Sequence, residues 1–128
     1  MRYPYKFLDL IENIKNEKFL VVVEGKRDKK VLMELGIENV ITLYELINEA
    51  NLFLNHKKAI ILTDNDKKGK KLYKFVRRIL ESEGIIINDL YRIRFFRYFK
   101  TVRIEDLEYR LEDIKFYINY EKEFNKFI

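Results

Sequence analysis

The chain has 128 residues, enough for one domain with a single core, and its 48% hydrophobic and 15% aromatic content excludes a disordered segment. It has no cysteine, which excludes a disulfide framework and thiolate metal sites. Net charge is +5, but unevenly spread: residues 67–103 hold twelve bases and three acids, while the flanking stretches are slightly acidic. Such a block suits a polyanion partner or a solvated helix face. Met1 to Lys18 lacks the apolar core of a signal peptide, and no apolar run reaches membrane-spanning length, so the cytosol is the expected compartment.

In chain order, residues 5–17 place apolar groups at 7, 8, 10, 11 and 14, a helical stripe with Pro4 just ahead of it. Phe19 to Val23 is a continuous apolar run, β-branched at its three valines, of the kind found in a strand covered on both faces. It ends in Glu24-Gly25-Lys26-Arg27-Asp28. The glycine suits a turn or a close ligand approach. A helix is predicted over 28–35, with Asp28 as its N-cap and Gly36 as its stop.

Residues 39–43 read as a second strand and 44–54 as a second helix. Lys58 to Thr63 is the third strand, running into Asp64-Asn65-Asp66-Lys67-Lys68-Gly69. On a strand, i and i+2 face one side, so Asp64 and Asp66 are expected to point into one site. Residues 67–83 form a basic helix with Leu72, Phe75, Val76, Ile79 and Leu80 inward. Tyr91 to Phe99 alternates like a half-exposed edge strand, and Ile104, Leu107, Leu111, Ile114 and Ile118 mark a helical seam. The tail from Tyr120 to Ile128 is expected to be helical.

Strands alternating with helices predict an α/β fold: a parallel sheet of about four strands with helices on both faces. Residues 1–128 read as a single domain, with its core over about 18–100, an N-terminal helix at 5–17 and a C-terminal helical segment at 104–128. Sites in open α/β sheets form at the carboxyl ends of strands, where Glu24, Asp64 and Asp66 all fall. Three crowded carboxylates repel one another, and an oxygen-seeking divalent cation removes that repulsion. With one histidine, His56, in a polar turn and no cysteine, zinc is disfavoured. Lys26, Arg27, Lys67, Lys68, Lys70 and Lys71 then surround the acids as phosphate contacts, and Arg92, Arg94, Arg97, Lys100 and Arg103 extend a nucleic-acid track.

Val22-Val23-Glu24-Gly25-Lys26-Arg27-Asp28, followed about forty residues later by Leu62-Thr63-Asp64-Asn65-Asp66-Lys67-Lys68-Gly69, resembles the Toprim domain. That domain is shared by topoisomerases, bacterial-type primases, nucleases and the small ribonucleases that mature 5S ribosomal RNA. The resemblance covers roughly residues 18–100. It implies a Toprim-like, Rossmann-like fold. It also implies Glu24 as metal ligand and general acid or base, with Asp64 and Asp66 as the Asp-x-Asp pair. In that family picture Glu24 and Asp64 share one Mg²⁺, and Asp64 and Asp66 a second, with Mn²⁺ as a substitute. Lys26 and Asp28 match the Glu-Gly-Lys-x-Asp form of the 5S maturation enzymes, and Gly69 matches the motif glycine. Asn65 and Lys67-Lys68 depart from the ribonuclease-like members. Among the family's activities, a chain of this length fits a small nuclease acting on RNA or DNA. The alternatives are a non-catalytic nucleic-acid-binding or assembly module, or a subunit whose partner, a second copy or another protein, docks through 104–118.

Overall fold

The computed structural model describes residues 6–127, so Pro4 and Tyr5, at the start of the expected first helix, and Ile128 lie outside the described residues. Four parallel strands form one sheet in the order β2-β1-β3-β4: β1 Leu20–Val23, β2 Val40–Thr42, β3 Lys58–Ile61 and β4 Ile86–Ile87. Six α-helices accompany them: α1 Lys6–Asn16, α2 Lys26–Glu34, α3 Leu43–Asn48, α4 Lys67–Ser82, α5 Asp89–Phe99 and α6 Leu111–Phe127. Short 3₁₀ segments span Ala50–Leu52 and Ile104–Arg110. None of the described helices is long and apolar enough to cross a membrane.

The β-branched runs behave as their composition dictates. All four residues of β1 are buried, because helices cover both faces of the sheet. Alternation along the strands divides the interior into two cores. Val21, Val23, Ile60 and Leu62 meet Ile11 and Ile14 of α1, Leu32 of α2 and Phe95 and Phe99 of α5. Leu20, Val22, Ala59 and Ile61 meet Leu46 of α3 and Val76 and Leu80 of α4.

Three elements differ from the sequence expectation. The helix expected over 44–54 ends at Asn48, and Ala50–Leu52 winds as a separate 3₁₀ turn. Residues 91–99 are helix, not strand. Asn88 caps α5 by accepting the Tyr91 N–H at 3.1 Å, and Lys100 closes it in the left-handed conformation (φ 50°). The polar–apolar alternation of Tyr91 to Phe96 is incidental. The buried set Phe95, Phe96 and Phe99 has helical spacing, and the fourth strand is the two-residue β4 before it. The seam from Ile104 also departs from a continuous helix, since residues 104–110 wind as 3₁₀ before α6 begins. Ile104, Leu107, Leu111 and Ile114 are all buried in this chain's own core and Ile118 packs partly buried against it, so the seam itself is used internally.

The strand order places the reversal of winding between β1 and β3. From β1 the chain moves out to β2, then returns past β1 to β3 and continues outward to β4. The loops after β1 and β3 therefore diverge, and a crevice opens between their carboxyl ends. The β1–β3 register pairs Val22 with Ile61, which brings Glu24 level with Thr63 and next to Asp64.

Candidate metal centre

Glu24, Asp28 and Asp64 converge in that crevice. One oxygen from each lies within 4.8 Å of the others. Asp28 is 6% exposed and Asp64 7%, whereas Glu24 is half-buried. Asp28 is held by its local chain and Asp64 by a segment far along the sequence. Gly25, not Asp28, occupies the N-cap position of α2, with Asp28 in the first turn, where its Oδ2 accepts the Gly25 N–H at 3.0 Å. This corrects the expected N-cap role and gives Asp28 a second one, because its carboxylate also joins the cluster. Asp64 lies three residues beyond the end of β3, and its Oδ1 accepts the Ile104 N–H at 3.0 Å.

The strand-alternation argument for Asp64 and Asp66 fails for a simple reason: β3 has already ended at Ile61. Asp66 instead caps α4, its Oδ1 accepting the Gly69 N–H at 2.7 Å. It stands outside the converging trio but still adds its negative charge to the field at Glu24.

Electrostatics set the trio apart. Burial, and then the neighbouring Asp64 carboxylate, with smaller contributions from Asp28 and Asp66, pushes the Glu24 carboxyl up to about 7. Burial also raises Asp28, against the opposing pull of the Gly25 N–H. Glu24 Oε1 is buried and has no hydrogen-bond partner. No ion pair neutralises any of the three among the described residues. A buried, unpartnered carboxylate oxygen costs about 1–3 kcal/mol or more unless something compensates it. An all-oxygen donor set with no imidazole or thiolate fits a hard divalent cation. His56 lies in the turn leading into β3, at the opposite end of the strand.

The β3 loop is shaped by a close approach. Thr63 Oγ1 donates to the Gly69 carbonyl at 2.7 Å, and a Cβ on Gly69 would sit 1.9 Å from the Asp64 carbonyl oxygen. Only glycine allows that approach. Gly25 is different: its φ of −139° is ordinary extended backbone, and a Cβ there meets only Asp28 Oδ2, at 3.8 Å. The chain bends at Glu24-Gly25 as expected, but the bend uses no left-handed backbone, and the space beside Gly25 leaves room for a ligand.

The basic residues sort into two groups. Lys26 and Arg27 open α2, and Lys67, Lys68 and Lys70 open α4, so both sets stand beside the crevice. None of these five is in an ion pair among the described residues. The α5 arginines are not a strand-borne track. Arg92 turns inward, Arg94 lines a cleft against Asp9 and Asn13 of α1, and Arg97 is exposed. Sequence reasoning missed the Asp28 carboxylate as a member of the cluster, the inward role of Arg92 and the segment 102–104. The capping-box spacing from Gly25 to Asp28 is a usable signal for the first; the others depend on partners about thirty to forty residues away in the chain.

No family model matches the chain. A UPF0292 protein of Methanocaldococcus jannaschii is 33% identical over 113 residues, covering 83% of this chain and 88% of that protein. UPF0292 proteins of Thermococcus kodakarensis and Pyrococcus furiosus are 42% identical over 78 residues and 39% over 72, covering 59% and 55% of their own lengths and 56% and 54% of this chain. Among solved structures, a protein of Aquifex aeolicus superposes with a TM-score of 0.66 at 27% identity, over 80% of this chain and 99% of that one. The zinc-binding and RNA polymerase domains of the Aquifex aeolicus primase superpose with a TM-score of 0.51, also at 27% identity, over 87% of this chain and 28% of that one. By its match along most of both sequences to the Methanocaldococcus protein, the chain belongs to the UPF0292 family.

Proposed function

We propose that this chain is a Toprim protein that uses Mg²⁺ to cleave nucleic-acid phosphodiester bonds, a small nuclease. The observation that carries the reading is the buried, unpartnered Glu24 Oε1 within a trio of carboxylates at the sheet's switch point. The likeness to a primase domain supports a nucleic-acid substrate. In this reading Glu24, Asp28 and Asp64 hold the cation. Asp66, with one oxygen committed to the α4 cap, reaches a second cation or the first through water. Mn²⁺ would substitute, being equally content with oxygen donors.

The bound cation would neutralise charge gathering on the phosphate oxygens. The chain's own groups do the rest. Lys26, Arg27, Lys67, Lys68 and Lys70 take the phosphates on either side of the scissile bond. The free N–H groups at the start of α4 add to their field. Water attacks phosphorus, the bond to the leaving oxygen breaks, and Glu24 handles the proton that moves from one to the other. Arg97 and Arg94 would touch nucleic acid farther from the crevice.

The test is cleavage of an RNA and DNA panel in Mg²⁺ or Mn²⁺, with chelator, Glu24→Gln and Asp64→Asn controls. Glu24→Gln is expected to lose ~100-fold or more of the turnover while keeping nucleic-acid affinity within a few-fold. Cleavage that survives chelation, or that both variants retain, would overturn the metal reading. Binding with no turnover in any condition would make the chain a docking module instead.

A further inference from the structure

The sheet has an incomplete row of hydrogen bonds beside the metal centre. On its β4 side, the β3 segment offers the carbonyls of Lys57, Ala59, Ile61 and Thr63 in alternation. The first two accept from β4 and the residue after it: Ile86 N–H to Lys57 at 2.9 Å and Asn88 N–H to Ala59 at 2.9 Å. There β4 ends and α5 begins. The remaining two carbonyls are buried with their residues and would be orphaned. Arg92 completes the row. Its Nη1 donates to the Ile61 carbonyl at 3.0 Å and to the Thr63 carbonyl at 2.6 Å, and its Nη2 donates to the Asp64 carbonyl at 3.2 Å.

The guanidinium is itself held in place. It lies 5.1 Å from the centre of the Tyr73 ring on α4 and 5.0 Å from that of Phe96 on α5. It makes no ion pair among the described residues, so it meets the loop through backbone carbonyls and the Thr63 hydroxyl. From the other side, Asn65 N–H donates to the Val102 carbonyl at 2.6 Å, and Ile104 N–H donates to Asp64 Oδ1. The backbone and carboxylate of Asp64 are thus fixed from two directions.

We infer that Arg92 is a positioning residue of the metal centre: it stands in for the missing continuation of β4 and fixes the Asp64 backbone, and hence the direction of the carboxylate. The inference rests on the metal reading above. It assigns Arg92 a role away from nucleic acid, unlike that of its exposed helix neighbour Arg97. Lysine is a poor substitute, because a single ammonium cannot bridge three carbonyls held in a fixed fan.

The experiment is Mn²⁺ binding by calorimetry on the full chain, well below every variant's melting temperature. Wild type is compared with Arg92→Met, Arg92→Lys and Ile85→Ala, the last a core truncation in the opposite layer that lowers stability without touching the loop. Arg92→Met is expected to weaken Mn²⁺ binding ~10–100-fold, the range for loss of a group that orients a ligand. Arg92→Lys should weaken it by a smaller but measurable factor, and Ile85→Ala should leave it unchanged. Wild-type affinity in Arg92→Met, or an equal loss in Ile85→Ala, would overturn the inference and leave the metal reading standing. If Arg92→Met does not fold, unchanged affinity in Arg92→Lys would overturn it in the same way. A wild-type chain that binds no Mn²⁺ removes the metal reading itself, and this role with it.

Discussion

The ends of β1 and β3 sit side by side in the sheet yet are built differently. After β3, the Thr63 hydroxyl, the Arg92 guanidinium, the Val102 carbonyl and the Ile104 N–H all bind residues 61–69, and the Gly69 backbone lies against Asp64. After β1, Asp28 reaches back to the Gly25 N–H, and Glu24 leaves a buried oxygen without a partner. One loop is clamped; the other is left with an unmet electrostatic demand. A ligand site needs both, a rigid frame to set direction and an uncompensated group that a cation can satisfy.

The largest effect should come from removing the unmet demand. Glu24→Gln is expected to lower turnover ~100-fold or more, read from cleavage kinetics under saturating metal. Breaking the clamp should come next. Gly69→Ala drives a Cβ into the Asp64 carbonyl, against backbone that cannot yield, and should cost about 3 kcal/mol, the upper end of overpacking. Urea unfolding measures it; a loss below about 1 kcal/mol would show the β3 loop to be looser than described.

A pH series sharpens the same contrast. The Glu24 carboxyl rises to about 7 in the folded chain from 4.5 unfolded, so protonation favours the fold. Its contribution is whole below pH 4.5 and disappears as pH climbs through about 7. Metal-free protein should therefore lose stability across that window, and Mg²⁺ should restore most above it and least near its lower end. Glu24→Gln should flatten the metal-free profile. Melting curves from about pH 4.5 to 8 check this, and a wild-type profile as flat as that of the variant would contradict it.

Replacing Lys67, Lys68, Lys70 and Lys71 by alanine should lower the slope of log affinity against log salt by about 0.7–0.9 for each phosphate that is no longer neutralised. An unchanged slope would make the α4 start a solvated face only. The smallest effect belongs to Gly25→Ala, where the backbone is unstrained and the space is open. Stability should shift by no more than about 1 kcal/mol, the weaker N-cap being offset by a stiffer unfolded chain.

What could be read from the sequence follows the range of the forces involved. Val21 to Val23 and Ile60 to Leu62 are continuous apolar runs, so their burial in a parallel sheet needs only local pattern. Two such strands ending in Glu24 and Asp64 make their meeting at one rim follow from sheet geometry. Asp66 falls off the expected face because alternation does not extend past the true strand end. The Tyr91–Phe99 segment fits period 2 and period 3.6 alike over its first six residues, and tertiary burial of Phe95 and Phe99 decides between them. Arg92 shows the limit: only a strand that stops short of the Ile61 and Thr63 carbonyls gives it a purpose, and nothing near Arg92 in the sequence announces that.

The central claim is that Glu24, Asp28 and Asp64 together grip one divalent cation. Calorimetric titration of Mn²⁺ into wild type, Asp28→Asn and Asp64→Asn at about pH 8, above the value of about 7 for Glu24, tests it directly. A saturable site in wild type, weakened ~10-fold or more in both variants while each remains folded, is the predicted result. Equal affinity in all three, or no saturable binding by wild type, would contradict it.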